Sequence, residues 1–126
     1  MLKSYPAIFH KEEDGSYWVE FPEFGGGTQG TNVEETLKNA REMRESVLAT
    51  YIDEGLDMPK PSDIMSLTVK DGFVSMIQAD PTPFIRNNKA IRKNVTVPEW
   101  LVRLADREKV NYSEVLTQAL ETKLQA

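Results

Sequence analysis

The chain has no cysteine and a single histidine, His10, among its 126 residues. Without cysteine it forms no disulfide, thiolate zinc site or cysteine nucleophile. One histidine gives no basis for a catalytic triad or a histidine-rich metal site, so a surface position at a strand end is the simpler interpretation. No apolar run approaches the ~20 residues of a membrane-spanning helix, and the start MLKSYPAIF lacks signal-peptide features. We therefore predict a cytoplasmic protein without cofactor or metal.

Acidic residues outnumber basic ones, but the two signs are unevenly distributed. The net charge is −5, to which residues 1–83 contribute −8 and residues 84–126 contribute +3. Between Phe84 and Pro98 there are basic side chains and no acid. This asymmetry favours nucleic-acid binding by the C-terminal part, although the whole chain is acidic.

The run IRKNVTV, residues 91–97, alternates with the period of two that is typical of a β-strand. One face carries side chains that can hydrogen-bond to base edges and phosphates: Arg92, Asn94 and Thr96. One strand followed by two short helices is too little material for a core. Two antiparallel copies would bury Val95 and Val97 and form a ribbon that fits the DNA major groove.

Two short helices are predicted after this strand. Pro98 suits a first helical turn, where its missing N–H has no cost. Asn111 followed by Glu114 is a capping-box pattern that opens the second helix. The start of this helix, Asn111 to Ser113, has free backbone N–H groups at Tyr112 and Ser113 and is predicted to bind DNA phosphates.

The last third of the chain resembles the ribbon-helix-helix family of transcriptional repressors. The resemblance implies a dimer in which Arg92, Asn94 and Thr96 read bases, with the basic Lys93 beside them. The family usually has glycine before the second helix, where this chain has Lys109, so we expect a tighter or more strained turn. The alternative is a plain helical hairpin behind an edge strand.

The first part of the chain predicts a sheet and one long helix. Residues 2–9 and 16–21 are predicted strands that flank an acidic turn ending in Gly15, and a short extended piece follows around residues 28–29. Thr31 and Glu34 form a capping-box pattern that opens the helix, and Gly55 suits its C′ position.

Further predictions concern the face of this helix and the segment after it. Its predicted apolar side consists of Val33, Leu37, Ala40, Val47, Leu48, Tyr51 and Ile52. Residues 67–69 and 73–79 flank Asp71-Gly72, a type I′ turn signal, so we predict one or two strands after the helix. This order of elements indicates an α+β fold, an antiparallel sheet with one helix across a face.

A second resemblance rests on motifs that follow one another in order and spacing over the first half of the chain. They are Asp14-Gly15, Val19-Glu20-Phe21-Pro22-Glu23, Thr28-Gln29-Gly30, and Glu34-Glu35-Thr36 through Asn39-Ala40. These motifs resemble the N-terminal domain of HicB-family antitoxins. The resemblance implies a truncated RNase H-like fold and, as partner, a small basic toxin of the HicA type, an mRNA-cleaving enzyme whose active site the antitoxin covers.

Toxin-facing residues are predicted on the second strand. Trp18 lies on the face opposite Val19, and an exposed tryptophan flanked by acids is a reasonable binding hot spot. We name Trp18, Glu20 and Glu23 as toxin-binding candidates. Burial of Trp18 by the chain's own helix or by a sister subunit is the competing interpretation.

The sequence thus predicts a toxin-binding domain (1–80), a linker (81–89) and a dimerising DNA-binding domain (90–126). The predicted function is a non-enzymatic antitoxin that also represses its own operon at an inverted-repeat operator, with higher-order toxin–antitoxin assembly open. Two alternatives are kept. One is a ligand-sensing regulator without a toxin, and the other is a residual metal-dependent nuclease, against which the acid-free first strand argues.

Overall fold

The computed structural model describes residues 1–124. They divide into a first compact unit, residues 2–87, and a second that begins at Asn88. Within residues 1–124, no helix has both the length and the apolar character that a membrane crossing requires.

The first unit contains a four-stranded antiparallel sheet. Its strands are β1 (Lys3–Lys11), β2 (Tyr17–Glu20), β3 (Gly27–Gly30) and β4 (Gly72–Ala79). Their order across the sheet is β3-β2-β1-β4, so β1 is paired on both sides while β3 and β4 are the edges. The strands predicted at residues 2–9 and 16–21 are confirmed to within two residues at each end.

The register of the sheet decides which side chains enter the core. Phe9 lies opposite Val19 on one side and Phe73 on the other. Because side chains alternate between faces, His10 and Trp18, the next register pair, point to the opposite face. The buried core on the helix side consists of Ala7, Phe9, Val19, Phe21, Ala40 and Ile77.

Helix α1 (Val33–Asp53) packs across this core face. Its N-cap is Asn32, whose side-chain oxygen accepts a 2.8 Å hydrogen bond from the Glu35 N–H. The capping box predicted from Thr31 and Glu34 is therefore wrong by one position. Asparagine is the better cap of the two candidates, and Thr31 instead donates its hydroxyl to the Glu35 carboxylate at 2.8 Å.

The C-terminal end of α1 confirms the position predicted for Gly55. Gly55 has φ +66° and donates its N–H to the Ile52 carbonyl, while Leu56 donates to Tyr51 at 2.9 Å. These two bonds define a Schellman motif, which needs a left-handed residue at C′ that glycine adopts at no steric cost.

Of the one or two strands predicted after α1, the structure has one, and the turn signal at Asp71-Gly72 does not form a hairpin. Residues 67–69 form no strand, and β4 pairs instead with β1, from Lys3 opposite Ala79 to His10 opposite Gly72. A Cβ at Gly72 would lie 1.8 Å from the Phe9 carbonyl oxygen, so this glycine permits close strand approach rather than a tight turn. The Asp71-Gly72 signal depends only on neighbouring residues. The partner of β4 is set instead by the free edge of β1, a strand far earlier in the chain.

Part of the predicted linker is attached to the first unit. The Asp53 carboxylate, at the end of α1, accepts hydrogen bonds from the backbone N–H groups of Arg86 and Asn87 at 2.9 and 2.8 Å. Both bonds lower the pKa of Asp53, and the bond from the Asn87 N–H has the larger effect. The chain is thus held at residue 87, one residue before the second unit begins.

The second unit contains α2 (Glu99–Arg107) and α3 (Tyr112–Leu124). Asn111 caps α3 as predicted, accepting a hydrogen bond from the Glu114 N–H at 3.1 Å. Pro98 is the N-cap of α2 rather than part of its first turn. Residues 89–98 have no regular secondary structure, so the strand predicted at 91–97 is not formed in the single chain.

The turn between α2 and α3 repeats the geometry at the end of α1, but with lysine in place of glycine. Lys109 has φ +53°, the one positive φ of a non-glycine residue in the described part of the chain. Its N–H donates to Asp106, and the Val110 N–H donates to Ala105 at 3.0 Å. This is a Schellman motif with a side chain at the left-handed position, in agreement with the strained turn expected there.

Candidate binding surfaces

The outer face of the sheet, away from α1, carries a compact polar and aromatic cluster. We call His10, Trp18 and Glu20 the outer-face patch. The rings of His10 and Trp18 stack with centroids 3.9 Å apart, and His10 Nε2 lies 3.0 Å from Glu20 Oε2. Trp18 nevertheless remains 41% exposed. Burial of Trp18 by α1 does not occur, because α1 packs on the other face.

The patch borders a cleft of about 790 Å³ formed by the β1–β2 turn, β3 and the start of α1. Trp18 is part of its wall, together with three carboxylate side chains, Glu12, Asp14 and Glu35. No lysine, arginine or histidine lines it. The cleft is therefore an acidic groove with an exposed aromatic ring at its border, a surface suited to a basic partner.

Local hydrogen bonds hold the acids of the cleft in place. The Asp14 carboxylate accepts from the hydroxyl and backbone N–H of Ser16, at 2.5 and 2.9 Å, and both bonds lower the pKa of Asp14. Across the cleft, the Asn39 amide donates to the Gln29 carbonyl at 2.9 Å and ties α1 to the edge strand β3. The groove is thus shaped by the fold before any partner binds.

Glu23 lies in a different environment from the other two predicted toxin-facing residues. Its Oε1 accepts a hydrogen bond from the Ser62 N–H at 2.8 Å, and its Oε2 is buried without a hydrogen-bond partner. Its charge acts on a buried cation, Arg44. The structure therefore brings Trp18 and Glu20 together on one surface and gives Glu23 an internal role.

Arg44 is a buried charged residue beside Glu23 that the sequence does not single out. It lies on α1 in the stripe Thr36–Ala40–Arg44–Leu48 and is fully buried. Of the helix residues predicted to be apolar-facing, Val33 is instead exposed. A charged residue at a core position has no signature in hydrophobic periodicity, and only its four-residue spacing from Ala40 and Leu48 could have indicated it.

The Arg44 guanidinium sits in an aromatic cage. Its carbon atom lies 4.6 Å from the ring centroid of Phe21, 5.1 Å from that of Tyr5 and 5.3 Å from that of Phe24. Burial lowers its pKa to about 10, which the Glu23 charge opposes, so the group stays protonated at neutral pH. It makes one hydrogen bond, to the Pro6 carbonyl at 3.3 Å.

Among residues 1–124, no group of three or more histidines and acids is arranged to hold a metal ion. The acids that line the cleft, Glu12, Asp14 and Glu35, are spread over a turn and a helix.

In the second unit, the predicted base-reading residues Arg92, Asn94 and Thr96 are all exposed, as is Lys93. The predicted phosphate seat is partly occupied by internal contacts. The Asn111 side chain caps α3, and the Tyr112 hydroxyl contacts the Asp106 carboxylate, which raises the pKa of Tyr112. Backbone N–H groups at Tyr112 and Ser113 are what this helix start can offer a phosphate.

None of residues 88–124 is buried. Instead, nine large hydrophobic side chains are exposed: Ile91, Val95, Trp100, Leu101, Leu104, Tyr112, Val115, Leu120 and Leu124. A soluble unit rarely exposes so many apolar side chains unless another chain covers them. The geometry is that of an association surface.

These features define a two-unit α+β protein whose exposed sites are surfaces for association. A model of the HicB-like antitoxin of bacterial toxin–antitoxin systems matches residues 5–120. The chain belongs to this HicB-like antitoxin family.

Solved structures agree with this assignment. A toxin–antitoxin complex from Streptococcus pneumoniae contains a chain that is 30% identical, with 98% of this chain and 99% of that chain covered and a TM-score of 0.63. The antitoxin HicB of Burkholderia pseudomallei shares the fold, at 22% identity, 97% and 96% coverage and a TM-score of 0.56. No curated protein sequence matches at a significant level.

Proposed function

We propose that the chain neutralises a HicA-type, mRNA-cleaving toxin by covering its active site, and that it represses its own operon as a dimer bound to operator DNA. The first unit, an antiparallel sheet crossed by one helix, is what a truncated RNase H-like domain would retain. In this proposal it acts by binding and performs no chemistry.

The observation that carries the proposal is the exposed Trp18 at the border of an acidic cleft. An amphipathic ring with one face stacked on His10 is already ordered, so little side-chain entropy is lost when a partner covers it. The carboxylates beside it favour a basic toxin and speed the encounter. A 30%-identical relative solved as a toxin–antitoxin complex supports a toxin as the partner.

Toxin binding is tested by inhibition of mRNA cleavage. The purified chain is titrated against the HicA-type toxin encoded beside its gene, with a labelled mRNA as substrate. Trp18→Ala should raise the inhibitor concentration needed by about thirtyfold, the effect of a hot-spot loss of about 2 kcal/mol. Met65→Ala is the control, because Met65 is 86% exposed but does not line the cleft. Equal inhibition by all three proteins would contradict the proposal.

The repressor half is supported by the absence of buried residues in the described part of the second unit, residues 88–124. If two copies associate, residues 91–97 can pair as an antiparallel ribbon and the apolar faces of α2 and α3 gain a shared core. Arg92, Asn94 and Thr96 would then project from one face of the ribbon into the major groove, with the helix N-termini against phosphates. A two-fold protein predicts an inverted-repeat operator.

DNA binding is tested on the sequence upstream of the gene by fluorescence anisotropy. Arg92→Ala/Asn94→Ala should weaken specific binding by about tenfold or more for each lost base contact. Lys123→Ala is the control, since it also removes one positive charge but lies in the last turn of α3. An equal loss in both variants would mean that charge alone, and not base reading, holds the DNA.

A further inference from the structure

The side chains on the outer face of the sheet form rows that run across the strands, because register partners point to the same face. One row consists, from β4 to β3, of Gly72, His10, Trp18 and Gln29. Gly72 has no side chain that could pack against His10 from the β4 side. Within this row, the neighbour left to the His10 ring is therefore Trp18.

The backbone of the β1–β2 hairpin fixes the distance between these two rings. The Glu12 N–H donates to the Ser16 carbonyl at 2.8 Å, two residues along the register from His10 and Trp18. Hydrogen-bonded pairs recur at every second residue of an antiparallel hairpin, so His10 and Trp18 are such a pair, with Cα atoms about 5.5 Å apart. At this spacing the rings can lie parallel, and they do so with 10° between their planes. The stack thus follows from the strand register.

The same histidine also holds Glu20, which lies in the next row of the outer face. His10 Nε2 is 3.0 Å from Glu20 Oε2, and because a carboxylate only accepts hydrogen bonds, the Nε2–H of His10 is the donor. The His10 side chain is 26% exposed, against 46% for the Glu20 side chain. A half-buried residue therefore contacts both of the more exposed residues of the outer-face patch, Trp18 through its ring and Glu20 through its nitrogen.

We propose that His10 is a positioning residue of the outer-face patch, which holds the Trp18 ring and the Glu20 carboxylate in the orientation that the toxin meets. The inference rests on the proposed function, since it names the residue that prepares the proposed toxin-binding surface. His10 acts through Trp18 and Glu20, and not through a contact of its own with the toxin. A surface ordered in this way before binding loses less conformational freedom when the partner covers it.

The size of the effect follows from the number of side-chain orientations that His10 removes. An exposed side chain without a neighbour to hold it distributes over about three staggered χ1 rotamers. If one of them is competent to bind, the apparent Kd rises about threefold when the stack on Trp18 is lost, and by a similar factor when the hydrogen bond to Glu20 is lost. Loss of both should weaken binding about tenfold. This stays below the effect of Trp18→Ala, because the contacts themselves are retained.

The order of the Trp18 ring in the free full-length chain is the first test, and it needs no toxin. Nitrogen-15 relaxation of the indole N–H should give an order parameter near the value of about 0.85 for rigid backbone, and His10→Gln should lower it below about 0.6. His10→Phe retains a ring to stack on and should leave it unchanged. The exposed indole of Trp100, in the second unit, is the internal control. A Trp18 ring that stays equally ordered in His10→Gln would overturn the proposal.

Inhibition of the toxin separates the two contacts of His10. His10→Gln keeps a hydrogen-bond donor for Glu20 but no ring, His10→Phe keeps a ring but no donor, and each should raise the inhibitor concentration needed by about threefold. His10→Ala removes both contacts and should raise it by about tenfold. Ser4→Ala, a change on the same strand and the same face, is the matched control and should have no effect. Unchanged inhibition by His10→Ala would contradict the positioning role.

A double variant shows whether His10 acts through Trp18. In the Trp18→Ala background, His10→Gln should cause no further loss of inhibition, because no ring is left to position. A further loss there would mean that His10 contacts the toxin itself, and would overturn the proposal. The two levels of inference fail differently. If Trp18→Ala alone leaves inhibition unchanged, the proposed toxin-binding surface is wrong and the role of His10 with it. If Trp18→Ala weakens inhibition and His10→Ala does not, the role of His10 alone is wrong.

Discussion

Arg44 offers a quantitative test of how the first unit is stabilised. Its guanidinium is fully buried, in contact with three aromatic rings, and its charge is balanced by Glu23. Arg44→Met retains a linear apolar side chain but removes the cation. The Glu23 carboxylate, whose Oε2 already lacks a hydrogen bond, is then left without its counter-charge.

The magnitude follows from what remains for Glu23. Breaking a buried ion pair by removing one partner costs about 3–5 kcal/mol. Glu23 acts on Arg44 through its charge but forms no salt bridge with it, is only half-buried and keeps its hydrogen bond from Ser62, so we expect a smaller loss of unfolding free energy, about 1–2 kcal/mol. Arg44→Lys keeps the charge but loses the planar stacking on the rings, and should cost about 1–2 kcal/mol.

A double-mutant cycle completes the experiment. Glu23→Gln alone removes the compensating charge from Arg44 and should also destabilise, while Arg44→Met/Glu23→Gln should recover at least about 1 kcal/mol relative to the sum of the single changes. Urea unfolding followed by far-ultraviolet circular dichroism measures all four proteins. The coupling between Arg44 and Glu23 would be refuted if the losses of the two single variants add up to the loss of the double variant. It would also be refuted if Arg44→Met is as stable as the wild type.

Three further predictions concern local structure, each read by urea unfolding or amide exchange. Lys109→Gly should stabilise the second unit by about 1 kcal/mol, because glycine adopts the left-handed backbone conformation without steric strain. An unchanged stability would show that Lys109 is not strained. Asn32→Ala should lower the free energy of unfolding by about 1 kcal/mol, and Thr31→Ala should lower it by clearly less. A larger loss for Thr31→Ala would indicate that Thr31 is the N-cap. Asp53→Ala, against Glu54→Ala as control, should speed exchange of the two amides that the Asp53 carboxylate holds. Because folding lowers the pKa of Asp53, this contribution is complete above the ordinary aspartate pKa of 3.8 and disappears as the pH falls through the folded-state pKa. Below that pH the wild type and Asp53→Ala should converge.

Local features of the fold were predictable because their causes lie within a few residues. The β1–β2 hairpin, the Gly55 helix end and the Asn111 cap each depend on short-range backbone hydrogen bonds and on residue types that favour them. The partner of β4 was not predictable in this way, because Asp71-Gly72 is an equally good local turn signal. The choice depends on the free edge of β1, which only the folded sheet provides.

The site was predicted in the same uneven way. Alternation along β2 was sufficient to place Trp18 and Glu20 on the outer face. Glu23 lies beyond the end of β2, where alternation no longer gives a direction, and its orientation is set by Ser62 and Arg44. Arg44 itself occupies a position that periodicity assigns to an apolar residue. A buried charge is specified by its tertiary neighbours, which a single sequence does not display.

The lack of any buried residue among residues 88–124 has a consequence for how the chain responds to its own abundance. A segment that obtains its core from another molecule folds only on association. Its stability therefore depends on the concentration of the chain as well as on temperature. Dilution would loosen residues 88–124 while the first unit stays folded. On the proposed function, the same polypeptide would then keep its proposed toxin-binding surface at low copy number and acquire its proposed DNA-reading surface only as copies accumulate.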